Sequence, residues 1–368
     1  MRNGRERRLL FLIDKLTYGG AQTVLWNIAE NLDRRYKVYV VALFAGGEVS
    51  EKLKEINVPT ECLFMQSPFS LKGYIEYAPQ FTSFIKNNKI DLVHSFLNAS
   101  GFYGGIAARR AKIPSILNAH GPLSRGKVKI MEVMSRNIND YLVAINDMTL
   151  REAKRTRMWG SRSRVKLIYN GITPLKKIAI KKVKKETIRL TMVANFFPEK
   201  DHATLIEAFE VLQKQGNLSL ELRIVGDGEE RFKADVIRYV KERNINNITF
   251  CGSLGLEEIT EIMAQTDIFV LSSHSEGLSI SATEAMSVGV PVIASDVGAM
   301  RELIDHRKDG VLVPPRSAEK LAGVIEELSL DRVLREDIGR RAIGKVETKF
   351  SLGKMIDEYQ NLYSSCLD

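Results

Sequence analysis

Two hydrophobic periods alternate along this chain, and their order limits the fold more than any other feature. RLLFLID is a short continuous apolar run of the kind buried on both faces of a sheet; LTYGG follows as a loop, then AQTVLWNIAENL as an amphipathic helix. The pattern recurs through YKVYVVALF, IDLVHSF, PSILNAH and YLVAIN, with helical stretches between them. Such alternation builds a parallel sheet covered by helices on both faces. After RVKLIYNGITP, the segment KKIAIKKVKKE lacks an apolar period and reads as a linker. Alternation then restarts, with IRLTMVAN, LELRIVG, NITFCG, DIFVLSS, PVIASD and GVLVPP as strands. ATLIEAFEVLQKQ, SATEAMSVG and AEKLAGVIEELS are the clearest helices among them. The expected fold is α/β, with two doubly wound Rossmann-like domains and a ligand cleft between them.

Length agrees, since 368 residues exceed one ordinary core. The net charge of +9 conceals an asymmetry: residues 1–187 carry 33 Lys+Arg against 15 Asp+Glu, and residues 188–368 carry 21 against 30. Two halves of opposite sign point to different partners. The basic excess is densest over 151–185. It reads either as solvated faces and a lysine-rich linker, or as a surface for anionic lipid, a phosphorylated acceptor or nucleic acid. Apolar runs such as Leu9 to Ile13 fall short of the roughly 20 residues a membrane span needs. Asp14 and Lys15 end the first one too early for a signal peptide. Cys62, Cys251 and Cys366 have no paired spacing, so neither a disulfide framework nor a zinc site is expected; they read as thiols of a cytoplasmic protein.

The chemistry concentrates in LSSHSEGLSISATEAMSVGVPVIASDVGAMRELI, residues 271–304. A strand ends at Leu271, a loop with Gly277 follows, and a helix starts near Ser279–Ser281 with polar caps available. Free N–H groups at a helix start attract phosphate. Glu276 in the loop and Glu284 in the helix are two carboxylates able to accept hydrogen bonds from the hydroxyls of a nucleotide sugar. GVPVIASDVG then supplies a further strand with a glycine loop at its carboxyl end.

This block resembles the signature of family-4 glycosyltransferases, retaining enzymes of the GT-B fold. The resemblance extends through GGAQTVLWNIAENL, IPSILNAHG, VKLIYNGI, LRIVGDGEE and ITFCGSL to FSLGKMIDEYQNLY, which is similar to the family's terminal helix crossing back onto the first domain. It implies an acceptor-side domain over 1–172 completed by 350–368, a basic linker over 173–187, and a nucleotide-sugar domain over 188–349. It further implies that Glu276 holds hydroxyls of the transferred sugar, near Gly277, Leu278 and Ser279, and that Glu284 holds the ribose. Lys200 in NFFPEKDH would neutralise the departing diphosphate. His120 would stand near the reacting sugar, and Gly19 and Gly20 would close around phosphates and acceptor. Catalysis would need no metal and no cofactor beyond the donor, which is expected to be a UDP-sugar. The acceptor would be a saccharide or lipid-linked hydroxyl in surface glycan assembly, at the inner face of the cytoplasmic membrane. One departure stands out. Family members commonly carry an Arg five residues before the lysine, where this chain has the uncharged Asn195, so the phosphate clamp would rest on Lys200 with the helix dipole, on Asn195, or on a basic residue elsewhere. The proline often found near Leu278–Ser279 is also missing.

Bland readings exist for each residue. Glu284 alone would be an exposed helix acid, Lys200 a solvated lysine, His120 a structural strand-end histidine, and Gly19–Gly20 a turn. Gly226-Asp227-Gly228 lacks the third glycine of a dinucleotide loop, which disfavours a dehydrogenase. Phe196, Phe197, Met131 and Met134 read as core or cleft lining, and Trp26 and Trp159 as packing residues. A GT-B nucleotide-sugar epimerase would need a second His/Asp cluster, which the sequence does not offer. A nucleic-acid-binding protein would show aromatic-basic stacking motifs, also absent.

Overall fold

A computed structural model describes residues 5–17, 19–65, 71–119, 127–156, 163–175 and 187–368. The chain divides into two compact units, Met1–Gly171 with Leu352–Asp368, and Ile172–Ser351. Residues 176–186, most of the expected linker, lie outside the described residues, as do His120 and Trp159.

The first unit begins with β1 (Arg7–Lys15), α1 (Gly20–Asn31), β2 (Tyr36–Ala45), α2 (Glu48–Glu55) and β3 (Thr60–Cys62). It continues with α3 (Leu71–Asn87), β4 (Leu92–Phe96), α4 (Asn98–Ala111) and β5 (Ser115–Ala119). Then follow α5 (Lys127–Ile138), β6 (Tyr141–Ala144), α6 (Asp147–Arg155) and β7 (Arg164–Leu167). All pairings are parallel, in the order β3-β2-β1-β4-β5-β6-β7. The central strand β1 shows why the sequence needs an unbroken apolar run. Leu9, Phe11 and Ile13 face one core, with Val24, Leu25 and Ile28 of α1. Leu10 and Leu12 face the other, with Phe81 and Ile85 of α3 and Tyr103 and Ile106 of α4. Period-two alternation thus feeds two cores at once.

The second unit holds β8 (Thr187–Val193), α7 (His202–Gln215), β9 (Ser219–Val225), α8 (Glu230–Glu242) and β10 (Ile248–Gly252). After them come α9 (Leu256–Gln265), β11 (Ile268–Leu271), α10 (Ile280–Ser287), β12 (Val292–Ser295), α11 (Met300–Leu303) and β13 (Val311–Val313). Helices α12 (Ala318–Leu330) and α13 (Arg332–Lys349) close it. Its parallel sheet runs β10-β9-β8-β11-β12-β13. Both sheets therefore reverse direction beside their first strand, at β1/β4 and at β8/β11, and each reversal opens a crevice at the strands' carboxyl ends.

Helix α14 (Leu352–Leu367) returns to the first unit. Met355, Ile356, Tyr359, Leu362 and Tyr363 form its buried stripe, and each of the aliphatic ones gains about 1.5–3 kcal/mol from burial. A buried polar chain fixes the docking. Asn118 Nδ2 donates to Tyr359 Oη at 2.7 Å, which turns Asn118 Oδ1 towards His94 Nε2 at 3.0 Å. His94 therefore carries its proton on Nε2, and Nδ1 accepts from the Tyr363 hydroxyl at 2.8 Å.

Candidate active site

The second unit's crevice is built by the loops that leave β8 and β11. From β8 the chain runs through Asn195 and a single 3-10 turn at Pro198–Lys200 into α7; from β11 it runs through Ser272–Ser279 into α10. The loops are sewn together. His274 N–H donates to the Glu199 carbonyl at 2.9 Å, and Ser272 Oγ donates to the Asp201 carbonyl at 2.8 Å.

At this seam Lys200 Nζ reaches Glu276 Oε1 at 2.7 Å, and Ser273 Oγ donates to the same oxygen at 2.7 Å. The carboxylate side chain is 7% exposed and the lysine's 24%. Two residues 76 positions apart thus form one charge-compensated group. An unpaired carboxylate so deeply buried would be costly, which explains why Lys200 turns to it. Ser273 was not among the sequence candidates; the only trace of it was the serine pair ahead of the glutamate.

Glu276's backbone is held from a third loop. Gly298 lies in the left-handed region at φ 52°, and a Cβ there would fall 1.9 Å from the Glu276 carbonyl oxygen. The neighbouring Ala299 N–H donates to that oxygen at 3.4 Å. Gly298→Ala is expected to cost about 1–3 kcal/mol and to displace Glu276, a loss that urea unfolding of the variant would measure.

Ser279 caps α10, its Oγ accepting the Ala282 N–H at 3.3 Å. The Ile280 and Ser281 N–H groups have no acceptor within the helix. Leu278 is buried, whereas a Cβ on Gly277 would meet nothing within 4 Å, so packing does not require glycine there. Glu284 lies further along α10 among buried neighbours Thr283, Ala285 and Met286. Burial alone lifts its pKa to about 7. A carboxyl raised in the folded state binds more protons there than in the unfolded chain between the two pKa values. Its contribution is therefore favourable near pH 4 and is lost as pH rises to 7. Glu284→Gln should remove this loss, raising stability relative to wild type by up to about 3 kcal/mol at pH 8 but not at pH 4, as paired denaturation curves would show.

Asn195 is exposed, and its Oδ1 takes the Asp227 N–H at 3.4 Å, leaving the amide nitrogen as the end able to donate. The glycine pair around Asp227 serves close packing, because a Cβ on Gly226 (φ 143°) would fall 2.2 Å from the Ala194 carbonyl oxygen. Phe196 is buried and Phe197 half-exposed.

In the first unit, Gly19 precedes α1 in extended backbone and Gly20 opens it. Gly19's carbonyl accepts from Thr23 N–H at 2.9 Å, and no side chain caps the helix start. Close by in sequence, Asp14 accepts the Ser100 N–H at 2.9 Å in the first turn of α4, and burial lifts its carboxyl to about 6. The three cysteines are free thiols, and among the described residues no three His, Cys, Asp or Glu side chains gather as metal ligands.

Two family models cover the chain in succession: Glycosyltransferase Family 4 matches residues 18–174, and Glycosyl transferases group 1 matches residues 175–345. The chain belongs to the family-4 glycosyltransferases. It is 24% identical over 337 residues to the Escherichia coli UDP-Gal:alpha-D-GlcNAc-diphosphoundecaprenol alpha-1,3-galactosyltransferase, covering 86% of this chain and 84% of that protein. To the amylovoran biosynthesis glycosyltransferase AmsK of Erwinia amylovora it is 25% identical over 284 residues, 72% of this chain and 68% of the relative. The crystal structure of Anabaena HepE in complex with UDP and glucose superposes with a TM-score of 0.83 at 22% identity, covering 97% of this chain and 99% of that one. This likeness assigns the GT-B fold to the chain, with its two Rossmann-like units as the halves.

Proposed function

We propose that this glycosyltransferase moves a hexose or N-acetylhexosamine from a UDP-sugar to a hydroxyl of a lipid-linked or polysaccharide acceptor, with retention at the anomeric carbon. The observation that carries the reading is the Lys200–Glu276 pair at the crevice beside the open start of α10. In the structure the two groups satisfy each other. A diphosphate, as the stronger anion, draws Lys200 away and frees Glu276 for the sugar's hydroxyls, so each end of the donor makes room for the other. When the bond between the sugar's C1 and the phosphate oxygen breaks, negative charge grows on the diphosphate. The Lys200 ammonium and the N–H groups at Ile280 and Ser281 stabilise it without a metal. Gly277, Leu278 and Ser279 supply the close backbone, Asn195 donates from its amide nitrogen, and Glu284 receives the ribose hydroxyls. The acceptor oxygen attacks C1 on the face that the diphosphate leaves, and a phosphate oxygen takes the acceptor's proton. His120, Gly19 and Gly20 complete the reading from the first unit.

The donor and acceptor classes rest on the relatives, whose names specify a UDP-galactose donor with an undecaprenyl-linked acceptor, and polysaccharide biosynthesis. Surface glycan assembly at the inner face of the cytoplasmic membrane fits the basic first half. Exposed Ile130 and Met134 stand one turn apart on α5 beside exposed Lys129, an apolar-basic pairing suited to an anionic lipid surface. No helix among the described residues is long and apolar enough to cross a membrane.

A thermal-shift panel of UDP-, GDP- and ADP-sugars should show a rise in Tm with UDP-sugars. Labelled sugar should then pass from the stabilising donor into a lipid extract. If no nucleotide sugar binds, is transferred or is hydrolysed, the reading is wrong.

A further inference from the structure

His202 is the first residue of α7, 4% exposed, and lies two positions after Lys200. Its ring stacks on Phe196 with centroids 4.3 Å apart and planes 10° from parallel. Nε2 is buried without a hydrogen-bond partner, and burial holds the imidazole's pKa down at about 4, so the ring is neutral near pH 7. A neutral imidazole whose Nε2 is dry does no proton chemistry here. It joins the end of β8 to the start of α7, across the turn that carries the lysine.

Everything else in that turn converges on the same short segment. Phe196 N–H donates to the Asp227 carbonyl at 2.8 Å, and Lys200 N–H to the Phe197 carbonyl at 3.0 Å. Asp201 adopts the left-handed region at φ 48° and takes the Thr204 hydroxyl on Oδ2 at 2.7 Å. A non-glycine residue there persists only where its surroundings over-determine it. The stack of the His202 ring on Phe196 spans the turn that carries Lys200.

We propose that His202 is a positioning residue for the sugar transfer: by stacking on Phe196 it holds the 195–201 turn in the form that aims Lys200 across to Glu276. The part that concerns transfer rests on the reading of Lys200 above; the clamp itself does not. A lysine four bonds long on a loose turn samples many positions, and a misplacement of about 1 Å at a charged group costs up to about 100-fold in rate.

Hydrogen exchange on the full chain without ligand tests the clamp directly. His202→Ala should speed exchange of the amides of residues 196–204 about tenfold, with β9 and β12 unchanged. His202→Phe, which can still stack on Phe196, should restore part of the protection. Turnover with a UDP-sugar should fall about tenfold in His202→Ala through kcat, with KM changed less than about twofold. Unchanged local exchange, or faster exchange throughout the second unit, would overturn the proposal. Local loosening with wild-type kcat would overturn its catalytic half. If the wild type turns over no nucleotide sugar, the donor reading falls, and the exchange data still decide the clamp.

Discussion

Lys200→Ala should lower sugar transfer by about 10²–10³-fold, the usual loss when one preorganised donor to a developing anion is removed. The variant loses the ion-pair partner of Glu276, whose side chain is 7% exposed. Two effects therefore follow. UDP should bind more weakly, because the ammonium proposed to meet the diphosphate is gone. Stability should drop by about 1–3 kcal/mol, because among the described residues a sheltered carboxylate keeps only Ser273 as partner. Calorimetry with UDP and urea unfolding measure the two separately. Full turnover in Lys200→Ala would remove Lys200 from the mechanism, whatever the stability result.

Glu276→Gln should cut turnover by about 100-fold or more while leaving UDP binding intact or tighter. The amide keeps the shape of the side chain and can still meet Ser273, but it does not hold Lys200 as an ion. Freed from its partner, Lys200 meets a diphosphate without first giving up a carboxylate. The two substitutions at one ion pair are thus expected to part in nucleotide affinity, weaker in Lys200→Ala and not weaker in Glu276→Gln, although both slow transfer. A merely structural salt bridge would weaken UDP binding in both variants or in neither. If Glu276→Gln binds UDP as poorly as Lys200→Ala, the exchange of partners described above does not occur.

Much of this was legible before any coordinates. Continuous apolar runs such as RLLFLID can only be strands covered on both faces, and the β1 side chains do divide between two cores. The start of α10 was visible in Ser279, since a polar cap ahead of an apolar helix satisfies N–H groups that nothing else in the segment can. Other features were hidden for a definite reason. Gly226-Asp227-Gly228 looked like a weak nucleotide loop, yet its first glycine is explained by the Ala194 carbonyl 32 residues earlier, with no ligand needed. Gly298 was one glycine among 26, and only the carbonyl of Glu276 distinguishes it. Met134, read as core or lining, is exposed on α5. Its helical spacing could not show which side of α5 meets the sheet.

Linear order settles whatever depends on near neighbours. The alternation of strand and helix periods, the turns, the caps and the grouping of Glu276, Gly277 and Glu284 are all set within a few residues by backbone sterics and side-chain burial. The sheet order places the carboxyl ends of β8 and β11 side by side although α7, β9, α8, β10 and α9 lie between them in sequence. Only that adjacency lets Lys200 and Glu276 hold each other, and only the return of α14 brings Tyr359 and Tyr363 to Asn118 and His94. Such contacts join residues tens to hundreds of positions apart, and no local preference specifies them. They exist because buried charges and hydroxyls must find partners once folding has removed water.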